Sequence, residues 1–384
     1  NVLSKAKTRG TAHVAAADFH QRASPSDTSQ ELVLDSLISD AKHAPLIIGR
    51  AGDRVAAAQD TGLCGKGPGM KRRREPLQQA IDNARIVSRL VRPDGPVDVV
   101  LDTDTFNEID DQFALAYLIQ SNDKLNLKAV YAAPFDNAKS AGPEDGMEKS
   151  YLEILNVLQL MGRGDLNNMV FKGSRAFIAN ETAPVPSPAA EDLVERAMGY
   201  TEEKPLYVIA IGAVTNVASA LLLKPEIRDR MVLIWLGGHA LHWPHNREFN
   251  LSQDVAAARV VFGCGVPLVS LPCMGVVSAF TVSGPELEHH LRGKNKLCDY
   301  LADVTAREAL KDGGNSAWTR AIWDVTAVGW LLDASFMEDC LEHAPIPEYD
   351  HHFARDKTRH LYRYVYHIHR DRLFEDLFMK LQKE

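Results

Sequence analysis

A short β-branched run, Val97–Leu101 (VDVVL), is followed at once by Asp102-Thr103-Asp104-Thr105-Phe106-Asn107-Glu108-Ile109-Asp110-Asp111, five carboxylates within ten residues. An apolar stretch at helical spacing, Phe113–Ile119, comes next. The run reads as a buried strand and the stretch as a helix. Placing that much negative charge between two apolar elements is costly unless a cation neutralises it. Oxygen donors with no Cys or His close by suit a hard ion, Ca²⁺ or Mg²⁺. The competing reading is a solvated acidic loop whose aspartates cap a helix starting near Gln112. In an open α/β sheet, ligands bind beyond the carboxyl ends of the strands, and this turn falls there.

Strand and helix candidates alternate from Pro76 onward. Leu77–Val91 has helical spacing, and Leu127–Ala133 reads as a strand. Tyr151–Met161 spaces Leu152, Ile154, Leu155 and Leu158 for one buried face. Strand Leu206–Ile211, helix Val217–Leu223 and strand Met231–Leu236 follow. Asp254 reads as the N-cap of a helix Val255–Phe262, and Pro267–Leu271 as a buried strand. This alternation predicts an α/β fold, an open and mostly parallel sheet flanked by helices around a Rossmann-like core. Near the end, Tyr362–Arg370 mixes aromatics, Arg and His, with His367 and His369 on one face. It is expected to be an edge strand, followed by an amphipathic helix Asp371–Leu381.

Residues 1–75 differ in kind. They carry scattered Ala, Ser, Gly and basic residues, with one amphipathic candidate at Glu31–Ala41, and end in Gly65-Lys66-Gly67-Pro68-Gly69. A poorly ordered extension is expected there, with residues 76–384 as the folded domain. Lys5, Lys7 and Arg9 without an acid in the first seventeen residues weakly resemble an organelle transit peptide. The chain opens on Asn1, which fits a fragment or a processed form. No apolar segment typical of a secretory signal follows the basic positions.

Composition narrows the partners. Lys and Arg number 43 against 51 Asp and Glu, a net charge of −8, which argues against a nucleic-acid partner. The longest uncharged run, Val260–Pro285, is broken by three prolines and four glycines, so no membrane partner is expected. The five cysteines form no CxxC pair. They are expected to be free thiols in a reducing compartment, which points to the cytoplasm.

Two families share part of the acidic pattern. Asp102-x-Asp104 loosely resembles the opening of haloacid-dehalogenase-type phosphatases, which would make Asp102 the nucleophile of a Mg²⁺-dependent enzyme. The fuller resemblance is to the nucleoside hydrolase family, whose signature is Asp-x-Asp-x-x-x-Asp-Asp after the first strand. This chain has two extra residues between the halves and lacks the usual Pro-Gly. Further on, Ile209-Ala210-Ile211-Gly212-Ala213-Val214-Thr215-Asn216 resembles the family's Gly-x-x-Thr-Asn turn. Leu236-Gly237-Gly238, Glu248-Phe249-Asn250 with Asp254–Arg259, and Trp323-Asp324 continue the series in order. The resemblance runs from about Pro96 to about Asp333 and implies a nucleoside hydrolase-like α/β fold.

It also implies Ca²⁺-dependent cleavage of the N-glycosidic bond of a ribonucleoside or related riboside. Asp104 would then ligate the ion and act as general base. Asp111, Asp324 and the backbone carbonyl of Ile211 would complete the protein ligands. Asp110 would hold a ribose hydroxyl, Glu248 and Asn250 other sugar hydroxyls, and Asp102 would orient the loop. Hydrolysis of a riboside passes through an oxocarbenium-like state, which a carboxylate-lined pocket stabilises. Relatives commonly form dimers or tetramers, so a homo-oligomer is expected.

Departures from the pattern leave other roles open. Trp323 stands where the family usually has His; an indole stacks on a base but does not act as a general acid. His239, His242 and His245 lie on a loop that could bring an acid to the pocket. Asn137 is a candidate ribose contact, and Pro143–Ser150 either a second lip of the site or a helix start. A non-catalytic Ca²⁺ or ribose-binding module is the remaining alternative.

Overall fold

The computed structural model describes residues 76–311 and 317–383. Strands are numbered in chain order: β1 Val97–Thr103, β2 Leu125–Ala132, β3 Val170–Lys172, β4 Leu206–Ala210, β5 Met231–Leu236, β6 Leu268–Leu271, β7 Thr281–Ser283, β8 Thr319–Ala321, β9 Met337–His343, β10 Ile346–Pro347, β11 Phe353–Ala354 and β12 Leu361–Ile368. Eight of them form one sheet in the order β3-β2-β1-β4-β5-β6-β12-β9. Every neighbour pair in it is parallel except β12 with β9. Pairs β7–β8 and β10–β11 are small antiparallel ribbons.

Alternation along each strand explains why helices cover both faces. Val99 and Leu101 of β1 join one apolar core, and Val100 joins the other. Ile209 and Ile234 enter the first core, and Val208 and Leu233 the second. Strands buried on both faces read as continuous apolar runs, as VDVVL and MVLIWL do. From β1 the chain winds outward through β2 to β3, then returns to place β4 on the other side of β1. The strand order therefore reverses between β1 and β4, and a crevice opens beyond their carboxyl ends. This is the doubly wound, Rossmann-like core that the alternation predicts.

Several expected elements coincide with those observed. Asp254 caps the helix Val255–Gly263, its carboxylate accepting the Ala257 N–H at 2.9 Å. Pro143–Ser150 is a helix start, the first two turns of Pro143–Leu160. The helix after the acidic turn begins at Asp110, two residues before Gln112, so Asp110 and Asp111 sit in its first turn. One expectation is corrected. Tyr362–Arg370 is not an edge strand: β12 lies inside the sheet between β6 and β9. The edge is β9 (MEDCLEH), whose charge hides it from a hydrophobic pattern and also protects an exposed edge from further pairing.

The extension 1–75, with its Glu31–Ala41 helix and Cys64, lies outside the described residues. The other four cysteines are free. Among the described residues no helix is long and apolar enough to cross a membrane.

Candidate active site

The acidic turn leaves β1 directly into the crevice. Asp102 and Thr103 are still paired in the sheet: the Asp102 carbonyl accepts the Ile211 N–H and the Thr103 carbonyl accepts the Ala133 N–H, both at 2.8 Å. Asp104 follows, only 1% exposed. Gly212 makes room for it, since a Cβ there would meet Asp104 Cβ and Cγ at 3.2 and 3.1 Å. The turn then enters the helix Asp110–Gln120, which packs against the helix Val325–Leu332. Asp324 occupies the N-cap position of that second helix. Two helix N-termini thus converge on one set of carboxylates, and their dipoles partly offset the charge.

The capping explanation does not account for these groups. Asp324 sits at an N-cap but its carboxylate makes no cap hydrogen bond. Carboxylate oxygens of Asp110, Asp111 and Asp324 lie within 4.8 Å of one another. Asp104 adjoins them, and its Oδ2 is buried without a hydrogen-bond partner. Thr103 Oγ1 donates to Asp111 Oδ1 at 2.5 Å, and the Asp324 N–H donates to Asp110 Oδ2 at 3.3 Å. Burial holds the Asp104 carboxyl well above its ordinary range, and the neighbouring Asp111 and Asp110 push it further. Asp110 and Asp324 are raised too, burial first, then for Asp110 the charge of Asp111 and for Asp324 the charge of Asp110. Asp111 is raised to about 6 by burial, against the pull of the Thr103 hydroxyl.

Among the described residues no Lys or Arg forms a salt bridge with these four aspartates. Four buried carboxylates with an orphaned oxygen and no cation of their own fit a hard divalent ion, all donors being oxygen. Asp110, Asp111 and Asp324 are the residues grouped tightly enough to hold it, with Asp104 beside them. Asp110, which the resemblance assigns to a ribose hydroxyl, stands inside this trio. Ile211 lines the same cavity, and its carbonyl accepts Asn250 Nδ2 at 3.0 Å, with a second lone pair not used by that bond.

The cavity measures about 620 Å³ including its mouth, within the usual span of small-molecule sites. It brings together Asp104, Asp110, Asp111, Ile211, His239, Glu248, Asn250, Trp323 and Asp324 from the sequence candidates. Glu248 and Asn250 also hold the walls. Glu248 Oε2 accepts the N–H groups of Gly238 and Leu251, both at 2.8 Å, and Oε1 accepts that of Asn250. Asn250 Nδ2 donates to the carbonyls of Ile211 and Leu236, tying the ends of β4 and β5 together. Burial pushes the Glu248 carboxyl up to about 7 against those three donors.

Other candidates stand apart from the cavity. His242 is exposed and is not among its lining residues. Asn137 lies behind Asn107, donating to its Oδ1 at 2.6 Å, and it is Asn107 that lines the cavity. Asp102 is fully buried outside the lining, its Oδ1 accepting Asn216 Nδ2 at 2.7 Å. That position suits a supporting group and is inaccessible to a phosphate ester, so the phosphatase nucleophile is not found there. Burial, raising the carboxyl to about 7, makes Asp102 a poor surface charge but a sound anchor.

His239 lines the cavity. Its Nδ1 accepts the Met274 N–H at 3.3 Å, which leaves the proton on Nε2. Burial and the adjacent His245 lower its pKa to about 4, so the ring is neutral at neutral pH and donates a hydrogen bond without carrying charge. Thr103, Asn107, Arg247 and Cys273 also stand at or beside the site and carry no signal of their own in the sequence. Asn216, in contrast, has a visible signal, the Thr-Asn turn. It joins β1, β2 and the loop after β3 through Asp102, the Ala132 carbonyl and the Ser174 N–H.

Fold and site together define a doubly wound α/β protein with a buried carboxylate cage at its switch point. The family model of inosine-uridine preferring nucleoside hydrolases matches residues 99–366, and the chain belongs to that family. Among curated relatives, the pyrimidine-specific ribonucleoside hydrolase RihA of Escherichia coli O127:H6 is 28% identical over 193 residues, 44% of this chain and 58% of that protein. The chain thus spans just over half the length of that relative. RihA of Citrobacter koseri is 27% identical over 247 residues, 58% of this chain and 76% of that protein. A plant nucleoside hydrolase structure, PpNRh1, superposes with a TM-score of 0.60 at 19% identity, covering 75% of this chain and all of that one. The inosine-uridine preferring nucleoside hydrolase of Bacillus anthracis gives a TM-score of 0.58 at 17% identity over 75% of this chain. These two likenesses support the fold.

Proposed function

We propose that the chain hydrolyses the N-glycosidic bond of a ribonucleoside or related riboside, releasing base and ribose, with Ca²⁺ as its ion. The observation that carries this is Asp104, a buried carboxylate with an unpartnered oxygen beside three more aspartates, in a cavity at the switch point of a nucleoside hydrolase family chain. Carboxylates plus a backbone carbonyl favour Ca²⁺ over Mg²⁺, which keeps more of its water. When bound, the ion supplies Lewis acidity toward water and a point of attachment for the sugar diol.

Asp104 takes the proton of the attacking water, since its Oδ2 is the acceptor the fold leaves unused. Carboxylates along the cavity stabilise the positive charge that develops on the ribose ring. Asn250 positions the Ile211 carbonyl through Nδ2 and turns its remaining oxygen to a sugar hydroxyl. Trp323 offers an aromatic face to the base and narrows the site to water. The free thiols of the described region support a reducing compartment.

The test is incubation with Ca²⁺ and a nucleoside panel, reading reducing sugar and free base. Release of both, lost in D104A, supports the proposal. Nucleoside binding without sugar release would reassign the chain as a binding module. Phosphate release from a phosphomonoester without ribose would reassign it as a phosphatase.

A further inference from the structure

We infer that the Arg247 guanidinium stabilises the negative charge that forms on the departing base, in place of a proton donor. The inference rests on the hydrolase reading above. Arg247 is the one Lys or Arg among the residues that line the cavity, a lining otherwise rich in carboxylates. Among the described residues it has no salt-bridge partner. Its backbone is fixed while its side chain remains exposed. On one side, Asn246 Oδ1 accepts the His239 N–H at 2.7 Å; on the other, Glu248 is held by three backbone donors. The Arg247 N–H itself donates to His245 Nδ1 at 3.3 Å.

Trp323, His239, Cys273 and Glu248 are poor proton donors to the leaving group, and Glu108, the remaining carboxylate of the rim, is paired with Arg320 at 3.4 Å. Trp323 has only an indole N–H, buried without a protein acceptor, which does not ionise to deliver a proton. His239 is neutral. The Cys273 thiol is pushed up by burial, then by Glu248 and Asp110. Both oxygens of Glu248 are committed to backbone N–H groups. The C1′–N bond therefore breaks with its electron pair passing to the base nitrogen. Water forms the new C1′–O bond and gives its proton to Asp104. The base leaves as an anion held by Arg247 and takes a proton from solvent once released. A fixed charge aimed at charge that develops in the transition state contributes on the order of 10²–10³ in rate.

The experiment compares wild type, R247Q and R247K in saturating Ca²⁺ on nucleosides and on p-nitrophenyl riboside, whose phenolate leaves without assistance. The ratio of kcat/KM for nucleosides to that for p-nitrophenyl riboside should fall at least about 30-fold in R247Q and recover in part in R247K. Nucleosides should also show a steeper dependence of rate on leaving-group pKa in R247Q. A parallel fall on both substrates, or no change in the ratio, overturns the inference while leaving the hydrolase reading intact. So does a loss confined to ribonucleoside 5′-phosphates, which would assign Arg247 to a phosphate. Wild type without activity on either substrate overturns the hydrolase reading and this inference with it. Thermal melting of each variant confirms that the fold is retained.

Discussion

Asp339 and Asp104 belong to the same sheet, one on β9 and the other just past β1, and the chain supplies them very differently. Asp339 Oδ2 accepts Arg92 Nη2 at 2.7 Å and Trp330 Nε1 at 3.0 Å, and Oδ1 accepts Arg363 Nη1 at 2.5 Å. Asp104 sits among three further aspartates with one oxygen unmatched. A carboxylate shielded from solvent in service of the fold is surrounded by donors, as the half-buried Asp339 is. One left without them stores a desolvation cost, which is offset only when something from outside arrives. The difference separates stability from function within a single sheet.

The sharpest way to break this contrast is by substitution at its two poles. D104A should reduce ribose release by about 10³-fold or more while leaving the melting temperature of the metal-free protein unchanged or raised. D339N should do the reverse, costing about 2–3 kcal/mol of stability with activity per folded molecule retained. Denaturant titration and a ribose assay on both variants check the pair; a D104A protein with wild-type turnover would end the assignment.

Calcium should act on one pole alone. At a hundredfold excess over its dissociation constant it should stabilise the wild type by about 2.7 kcal/mol, and D339N by the same amount. D110N/D324N should lose that response, as read by differential scanning calorimetry with and without chelator. A comparable response in the double variant would place the ion elsewhere.

The pH dependence follows from the same carboxyls. Their folded pKa values lie above the unfolded range, about 6 for Asp111 and about 7 for Asp102. The native state then binds more protons than the unfolded state across that window. Stability of the metal-free protein should therefore fall as pH rises from about 4 toward 7. Saturating Ca²⁺ should flatten or invert the slope around the aspartate trio. Urea midpoints measured across that interval test the sign. Smallest of all, H242A should change turnover less than twofold and stability by about 0.5 kcal/mol at most, because the side chain is exposed outside the cavity.

How far these features are legible in the sequence depends on whether the signal is local. The β1 turn, the Asp254 cap and the apolar helix ending at Leu223 each carry their pattern within a few residues, and each is where that pattern puts it. Edge strand β9 is missed because its residues are chosen to discourage pairing rather than to fill a core. Asp110 joining the trio depends on where the helix begins, a matter of two residues that periodicity does not resolve. His239 looks like an acid in sequence. Its tautomer is set by the Met274 N–H, thirty-five residues away, and that contact exists only in three dimensions.

Gly238 has a positive φ of 79°, which lets the chain turn sharply out of β5. Ten residues later its N–H is clasped by Glu248, and the His239 N–H by Asn246. The segment between is a cassette sewn shut at its neck. None of residues 240–245 lines the cavity, so changes inside the loop leave the clasped wall in place.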